Sequence, residues 1–331
     1  MASNGGTPRA QGPTLHALLG AGDLDAPDLH AVLDLADRLR DAWPTPPRTL
    51  EGRAVALVFE KPSLRTRASF EIGLTRLGAH AVYLDQSSSP LGERESVADF
   101  TRTLERYADA IIARVRRHAT LERMAGSARV PVVNALSDRE HPCQALGDAM
   151  TIRAALGRVR GVQVAFVGDA NNVCNSLLLT LGALGAHVVV LCPPAHGPAG
   201  SVLDAARTRA TAAGGSVEQV HEPEDLASMG RFDVVYTDTW VSMGSEHERE
   251  TRLEAFGRFR VTEHTMRAAS GGGDPPLFMH CLPASRGVEV DDAVIDGPTS
   301  VVYDQAENRM HAQNALMSVM LGGAQGGGDG R

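Results

Sequence analysis

Ala54-Val55-Ala56-Leu57-Val58-Phe59, followed by Glu60-Lys61-Pro62-Ser63-Leu64-Arg65-Thr66-Arg67, is the stretch from which the fold can be read. Its six apolar residues have the length and composition of a buried strand. Phe70, Leu74 and Leu77 then recur at helical spacing, which predicts a helix over residues 68–77. A strand, a polar turn and a helix make one step of a parallel sheet, and the step repeats along the chain. Strands are expected at 81–84, 110–113 and 130–134, with helices at 96–108 (Ser96 as cap; Val97, Phe100, Leu104 and Tyr107 on one face) and 120–125. A long helix over 144–156 ends at Gly157, and the pattern restarts. Strands follow at 162–167, 188–192, 217–220, 234–237, 277–280 and 301–304, with helices at 175–184, 202–213 and 306–321. The expected fold is α/β, with two doubly wound parallel-sheet domains linked by helices.

The whole sequence agrees with that reading. Its 331 residues suit two domains. The hydrophobic share of 43% and charged share of 22% are those of a soluble protein, and only 4% aromatic residues leave the core to Ala, Leu and Val. A net charge of -8 argues against nucleic acid as a partner, although a local arginine cluster can still bind an anionic substrate. Cys143, Cys174, Cys192 and Cys281 form no C-x-x-C pair, so the expectation is a reduced, cytoplasmic protein with no metal site. No apolar run reaches the length of a membrane span. Residues 1–13 and 322–331 are rich in small and polar residues and are expected to be disordered tails. Lys61, beside the basic turn, is the only lysine, as a codon bias toward arginine would produce.

Ligands of such sheets sit at the carboxyl ends of strands, and the chemically distinctive residues all follow strands. After the first, a helix start offers backbone N–H groups, the hydroxyls of Ser63 and Thr66, and the guanidinium forks of Arg65 and Arg67 to an anion. Read alone, the same residues fit a capped helix with two solvated arginines. Arg114 closes the next strand but one. His141-Pro142-Cys143-Gln144 opens a helix, so His141 and Gln144 can share a crevice, with His141 donating to a carbonyl oxygen that gains charge. Gly168-Asp169-Ala170-Asn171-Asn172 lacks the glycines of a dinucleotide site and suits a zwitterion better than a pyrophosphate. Asp238 can hold a cationic amine, and the main-chain-rich loop containing Ser242 and Met243 an α-carboxylate or α-amine. Cys281, in His280-Cys281-Leu282-Pro283, is either a nucleophile or a buried, weakly polar contact. Arg309, near the start of the last helix, can add an anion contact.

Taken together, these motifs resemble the aspartate/ornithine carbamoyltransferase family, over about residues 15–321. The S-x-R-T-R turn and the H-P-x-Q segment match the whole family; Asp238 with Ser242-Met243-Gly244, the 169–172 loop and 280–283 match its ornithine branch. The resemblance implies a carbamoyl-phosphate-binding domain (14–150), an ornithine-binding domain (151–305) and a closing helix (306–321) returning to the first domain. It implies carbamoyl phosphate contacts at Ser63, Leu64, Arg65, Thr66, Arg67, Arg114, His141, Gln144, Cys281, Leu282 and Arg309. Ornithine contacts are implied at Asn172, Asp238, Ser242 and Met243, with Arg65, Arg114, His141, Asp238 and Cys281 carrying the catalysis. No cofactor or metal is implied, and the partners are the two substrates and other copies of the chain, as a homotrimer or a multiple of trimers. The sequence departs from the family pattern at Leu64 (usually Thr), at Pro90 (often a Gln reaching toward carbamoyl phosphate) and at Ser285 (often His). Rival readings are a carbamoyltransferase for putrescine or an N-acylated ornithine, a nicotinamide-dependent dehydrogenase and a non-catalytic regulatory relative.

Overall fold

Two five-stranded, all-parallel sheets organise the protein, here a computed structural model that describes residues 15–241 and 246–322. The first sheet contains β1 (Ala17–Leu18), β2 (Ala54–Phe59), β3 (His80–Asp85), β4 (Ala110–Arg114) and β5 (Val132–Leu136), in the order β1-β5-β4-β2-β3. Its helices are α1 (Ala26–Asp41), α2 (Leu64–Arg76), α3 (Val97–Leu104) and α4 (His118–Ala125). Helix α5 (Pro142–Leu156) leads to the second sheet, made of β6 (Gln163–Val167), β7 (His187–Leu191), β8 (Ser216–Val220), β9 (Val234–Thr237) and β10 (Leu277–His280). That sheet runs β10-β9-β6-β7-β8, flanked by α6 (Asn172–Ala183), α7 (Gly200–Ala213), α8 (Asp225–Ser228), α9 (Arg249–Phe256), α10 (Glu263–Ala269) and α11 (Asp292–Ile295). Helix α12 (Val302–Gly322) crosses back to pack on α5, α1 and α2.

Each sheet reverses its strand order once: between β2 and β4 in the first, between β6 and β9 in the second. The loops leaving the two strands diverge there and open a crevice at their carboxyl ends. Central strands β2, β4 and β6 are almost wholly buried, as strands covered on both faces must be. Helix α5 is buried on every side from Pro142 to Ile152, because α12, α6, α1 and strand β5 pack around it.

Several boundaries differ from those expected. Helix α2 begins at Leu64, inside the basic turn, with Ser63 as N-cap: its Oγ accepts the Thr66 N–H at 3.4 Å. Asn171 likewise caps α6 three residues earlier than expected, accepting from the N–H groups of Val173 and Cys174. No strand forms at 301–304. Val301 donates to the Phe278 carbonyl and then accepts from Gln305, so the chain passes from a single bridge at Ser300 straight into α12. The last helix therefore starts at 302 and includes Gly322; the rest of the expected tail, like residues 1–13, lies outside the described residues. All four cysteines are free, three of them buried.

Candidate active site

The two crevices face one another and enclose a single cavity of about 610 Å³, within the size range that buries a small ligand. On its first side α2 presents Ser63, Arg65 and Thr66. Arg114, at the end of β4, is buried and donates from Nη1 to Thr66 Oγ1 at 3.4 Å. Arg309 arrives from α12, buried, with Nη1 on Gln144 Oε1 at 2.8 Å. The Nε atoms of both Arg114 and Arg309 are buried without a partner. Burial first, then the charges of Arg309 and Arg65, pushes the Arg114 guanidinium down to about 10. Arg309 is lowered chiefly by burial, with Arg65 adding to the effect. Two buried guanidiniums, with the charge of Arg65 beside them near a helix start, are stabilised by an anion.

His141 precedes α5 and is held by its backbone N–H on Ser176 Oγ at 2.9 Å. Its side chain is buried with Nδ1 unpartnered. Burial, then Arg309 and Arg114, holds its pKa well below the usual histidine range, so it is neutral at physiological pH. A neutral imidazole can donate to a developing oxyanion without adding another cation.

The opposite side carries the amine-facing groups. Asp238 follows β9, and its Oδ2 accepts from Asn171 Nδ2 at 2.7 Å. Its Oδ1 accepts from the Cys281 thiol at 2.9 Å and from the Thr239 N–H at 2.8 Å. Burial, then the Asp238 carboxylate, pushes the Cys281 thiol well above its usual range. Cys281 is therefore a hydrogen-bonding thiol rather than a thiolate nucleophile. Asn172 lines the cavity and donates to the Ser137 carbonyl at 2.7 Å, bridging the two halves. Leu282, also at the wall, holds a left-handed φ of 58° and donates its N–H to His280 Nδ1 at 2.8 Å.

Of the residues expected at the site, Arg67 and Leu64 are not in the cavity wall. Arg67 stacks over the Tyr83 ring at 3.8 Å and pairs with Glu71, while the Leu64 side chain is 79% exposed. Ser242 and Met243 lie outside the described residues. Pro90 is not in the wall; its loop is tied to buried Glu60, which accepts from Leu91 N–H at 2.9 Å. Ser285 does line the cavity. Sequence reasoning missed Arg252, whose Nη1 donates to Asp169 Oδ2 at 2.8 Å and to the Trp240 carbonyl at 3.1 Å. An arginine on an ordinary surface helix carries no signal that would single it out.

Among the described residues, Asp238, His280 and Cys281 place one potential metal donor each within 4.8 Å of one another. Those donors already serve one another and the backbone: the Cys281 thiol bonds Asp238, and His280 Nδ1 accepts from Leu282.

An anion grip at one topological switch point, facing a buried carboxylate at another, defines a two-substrate α/β transferase. The chain belongs to the aspartate/ornithine carbamoyltransferase family: the model of that family's carbamoyl-P binding domain matches residues 16–154, and the model of its Asp/Orn binding domain matches residues 160–320. An ornithine carbamoyltransferase of Pyrococcus horikoshii is 48% identical, covering 85% of this chain and 87% of that protein. The anabolic ornithine carbamoyltransferase of Pyrococcus furiosus is 46% identical over 92% of this chain and 96% of its own length. The solved structure of ornithine carbamoyltransferase from P. furiosus superposes with a TM-score of 0.88 at 44% identity, covering 94% of this chain and 98% of that one. That from Thermus thermophilus gives 0.81 at 40% identity, covering 92% and 99%.

Proposed function

We propose that this cavity transfers the carbamoyl group of carbamoyl phosphate to the side-chain amine of L-ornithine, giving L-citrulline and phosphate, in arginine biosynthesis. The convergence of Arg65, Arg114 and Arg309 on one wall, opposite the buried Asp238 carboxylate, carries this reading. The relatives' names agree with it.

In this mechanism the phosphate rests on the start of α2, held by Ser63, Arg65, Thr66 and Arg114. His141 and Arg114 face the carbonyl oxygen, Gln144 accepts from the carbamoyl –NH2, and Cys281, Leu282 and Arg309 close that end. The ornithine side-chain amine attacks the carbonyl carbon. A tetrahedral species forms, its oxyanion stabilised by His141 and Arg114. The C–O bond to phosphate then breaks, phosphate departs with the electron pair, and the nitrogen sheds its proton to phosphate or solvent. The attacking amine must be neutral, whereas a carboxylate favours a cation. Asp238 is therefore assigned to the α-ammonium of ornithine, and Asn172, Ser242 and Met243 to further contacts with the same substrate. Positioning two substrates in one enclosed cavity supplies much of the acceleration.

The reading is tested by incubating purified protein with carbamoyl phosphate and, separately, ornithine, putrescine or N-acetylornithine. Citrulline from ornithine is expected, at a rate that climbs above neutral pH as the amine loses its proton; no citrulline would sink it.

In the proposed division, residues 14–150 bind carbamoyl phosphate, 151–305 bind ornithine, and the last helix returns to the first domain. The chain acts as a homotrimer or a multiple of trimers, supported by exposed Leu64 and Ile72 on α2 and Val82 on edge strand β3. Light scattering should give three times the chain mass or a multiple of it; a monomer would contradict the assembly. No helix among the described residues is long and apolar enough to cross a membrane, and the proposed location is the cytoplasm.

A further inference from the structure

One buried ionisable group beside the cavity takes no part in the mechanism above. Asp148 lies one turn along α5 from Gln144, fully buried and outside the cavity wall. Its Oδ1 accepts from Gln144 Nε2 at 2.8 Å and from Gln305 Nε2 at 2.7 Å, and its Oδ2 from the Tyr236 hydroxyl at 3.1 Å. Gln305 passes the connection on, since its Oε1 accepts the His280 N–H at 2.9 Å, next to Cys281. A carboxylate only accepts and a guanidinium only donates. Placed between Asp148 and Arg309, the Gln144 carboxamide has a single orientation that satisfies both, with nitrogen on Asp148 and oxygen on Arg309.

We propose that Asp148 is a positioning residue that selects for the carbamoyl –NH2, by turning the Gln144 nitrogen away from the cavity and leaving its oxygen there as an acceptor. This rests on the reading of the cavity as a carbamoyl phosphate site. A flipped Gln144 would set a donor against the –NH2 and leave Arg309 without its acceptor, a double loss in a desolvated place. The charged and titratable groups around Asp148 are Tyr236 from β9, Arg309 from α12 and Cys281 after β10. Burial outweighs the donors and pushes its carboxyl up to about 7, so its charge is lost just below neutrality.

Acetyl phosphate shares the phosphate end of carbamoyl phosphate but carries –CH3 in place of –NH2. The ratio of KM for carbamoyl phosphate to Ki for acetyl phosphate therefore isolates the contact made by Gln144. In Asp148→Leu that ratio should rise about tenfold or more, mostly through KM, while Asp148→Asn, which keeps an acceptor oxygen, should return it to within about threefold of wild type. An unchanged ratio in Asp148→Leu, whether both constants move together or neither moves, would overturn the role. If Asp148→Leu does not fold, the smaller Asp148→Val, which likewise offers Gln144 no acceptor, decides: the ratio should again rise about tenfold or more. An unchanged ratio there overturns the proposal. A wild type that makes no citrulline overturns instead the underlying reading of the cavity.

Discussion

Arg65→Ala is expected to lower kcat/KM for carbamoyl phosphate by at least about a hundredfold, because it removes a two-pronged, charge-assisted grip on phosphate of roughly 3–6 kcal/mol. Arg65 is the cavity-facing arginine of α2, and its charge is felt by both Arg114 and Arg309. Its removal relieves repulsion in the empty site, so the folded protein should not lose stability. Affinity for inorganic phosphate should fall with the affinity for carbamoyl phosphate, since both use the same grip. Arg65→Lys should recover only part of the loss, because an ammonium restores charge without the planar fork. Arg67→Ala provides the contrast: that side chain is stacked on Tyr83, and its loss should leave phosphate affinity within about threefold. Phosphate affinity unchanged in Arg65→Ala would remove Arg65 from the site.

The second large effect is expected at Asp238. Asp238→Asn preserves shape and can still accept from Asn171 or Thr239, but it removes the negative charge facing ornithine. Loss of one partner from a buried charge pair costs about 2–5 kcal/mol, so KM for ornithine should rise roughly 30-fold to 1000-fold or more. KM for carbamoyl phosphate should stay within about threefold, because the phosphate grip lies on the opposite wall. Steady-state kinetics with each substrate varied in turn separates the two constants. Equal increases in both would mean that Asp238 holds the whole site together rather than ornithine.

The parallel alternation was legible because buried strands and amphipathic helices differ in period, and the second sheet follows from the same signal restarting after Gly157. The placement of polar residues at strand ends then put Arg114, His141, Asp238 and Cys281 near one another, as the cavity does. The two arginines of the turn were harder to separate. In an extended turn, residues 65 and 67 project to the same side. With α2 starting at Leu64 they are separated by about 200° around a helix, which sends Arg65 to the cavity and Arg67 to Tyr83. Helix α1 was overlooked although Asp25 caps it reciprocally with Asp28 and Pro27 lies in its first turn; those were usable signals. The strand expected at 301–304 failed for another reason. Val301, Val302 and Tyr303 favour extended backbone, but packing on α5 and α1 continues the last helix into Val302 and Tyr303. Asp148 was invisible, since a carboxylate on a helix reads as solvated until three donors are found around it.

The route of α12 has a consequence for the order in which the protein is made. Every strand of both sheets precedes residue 302, yet Arg309, the ligand of Gln144, and Gln305, a partner of Asp148, arrive only with the last helix. A nascent chain can complete both sheets on the ribosome and still lack Arg309 in the cavity wall and the packing over α5. Catalytic competence is thus withheld until α12 has been made, and a product truncated near residue 300 would have both sheets and no working site.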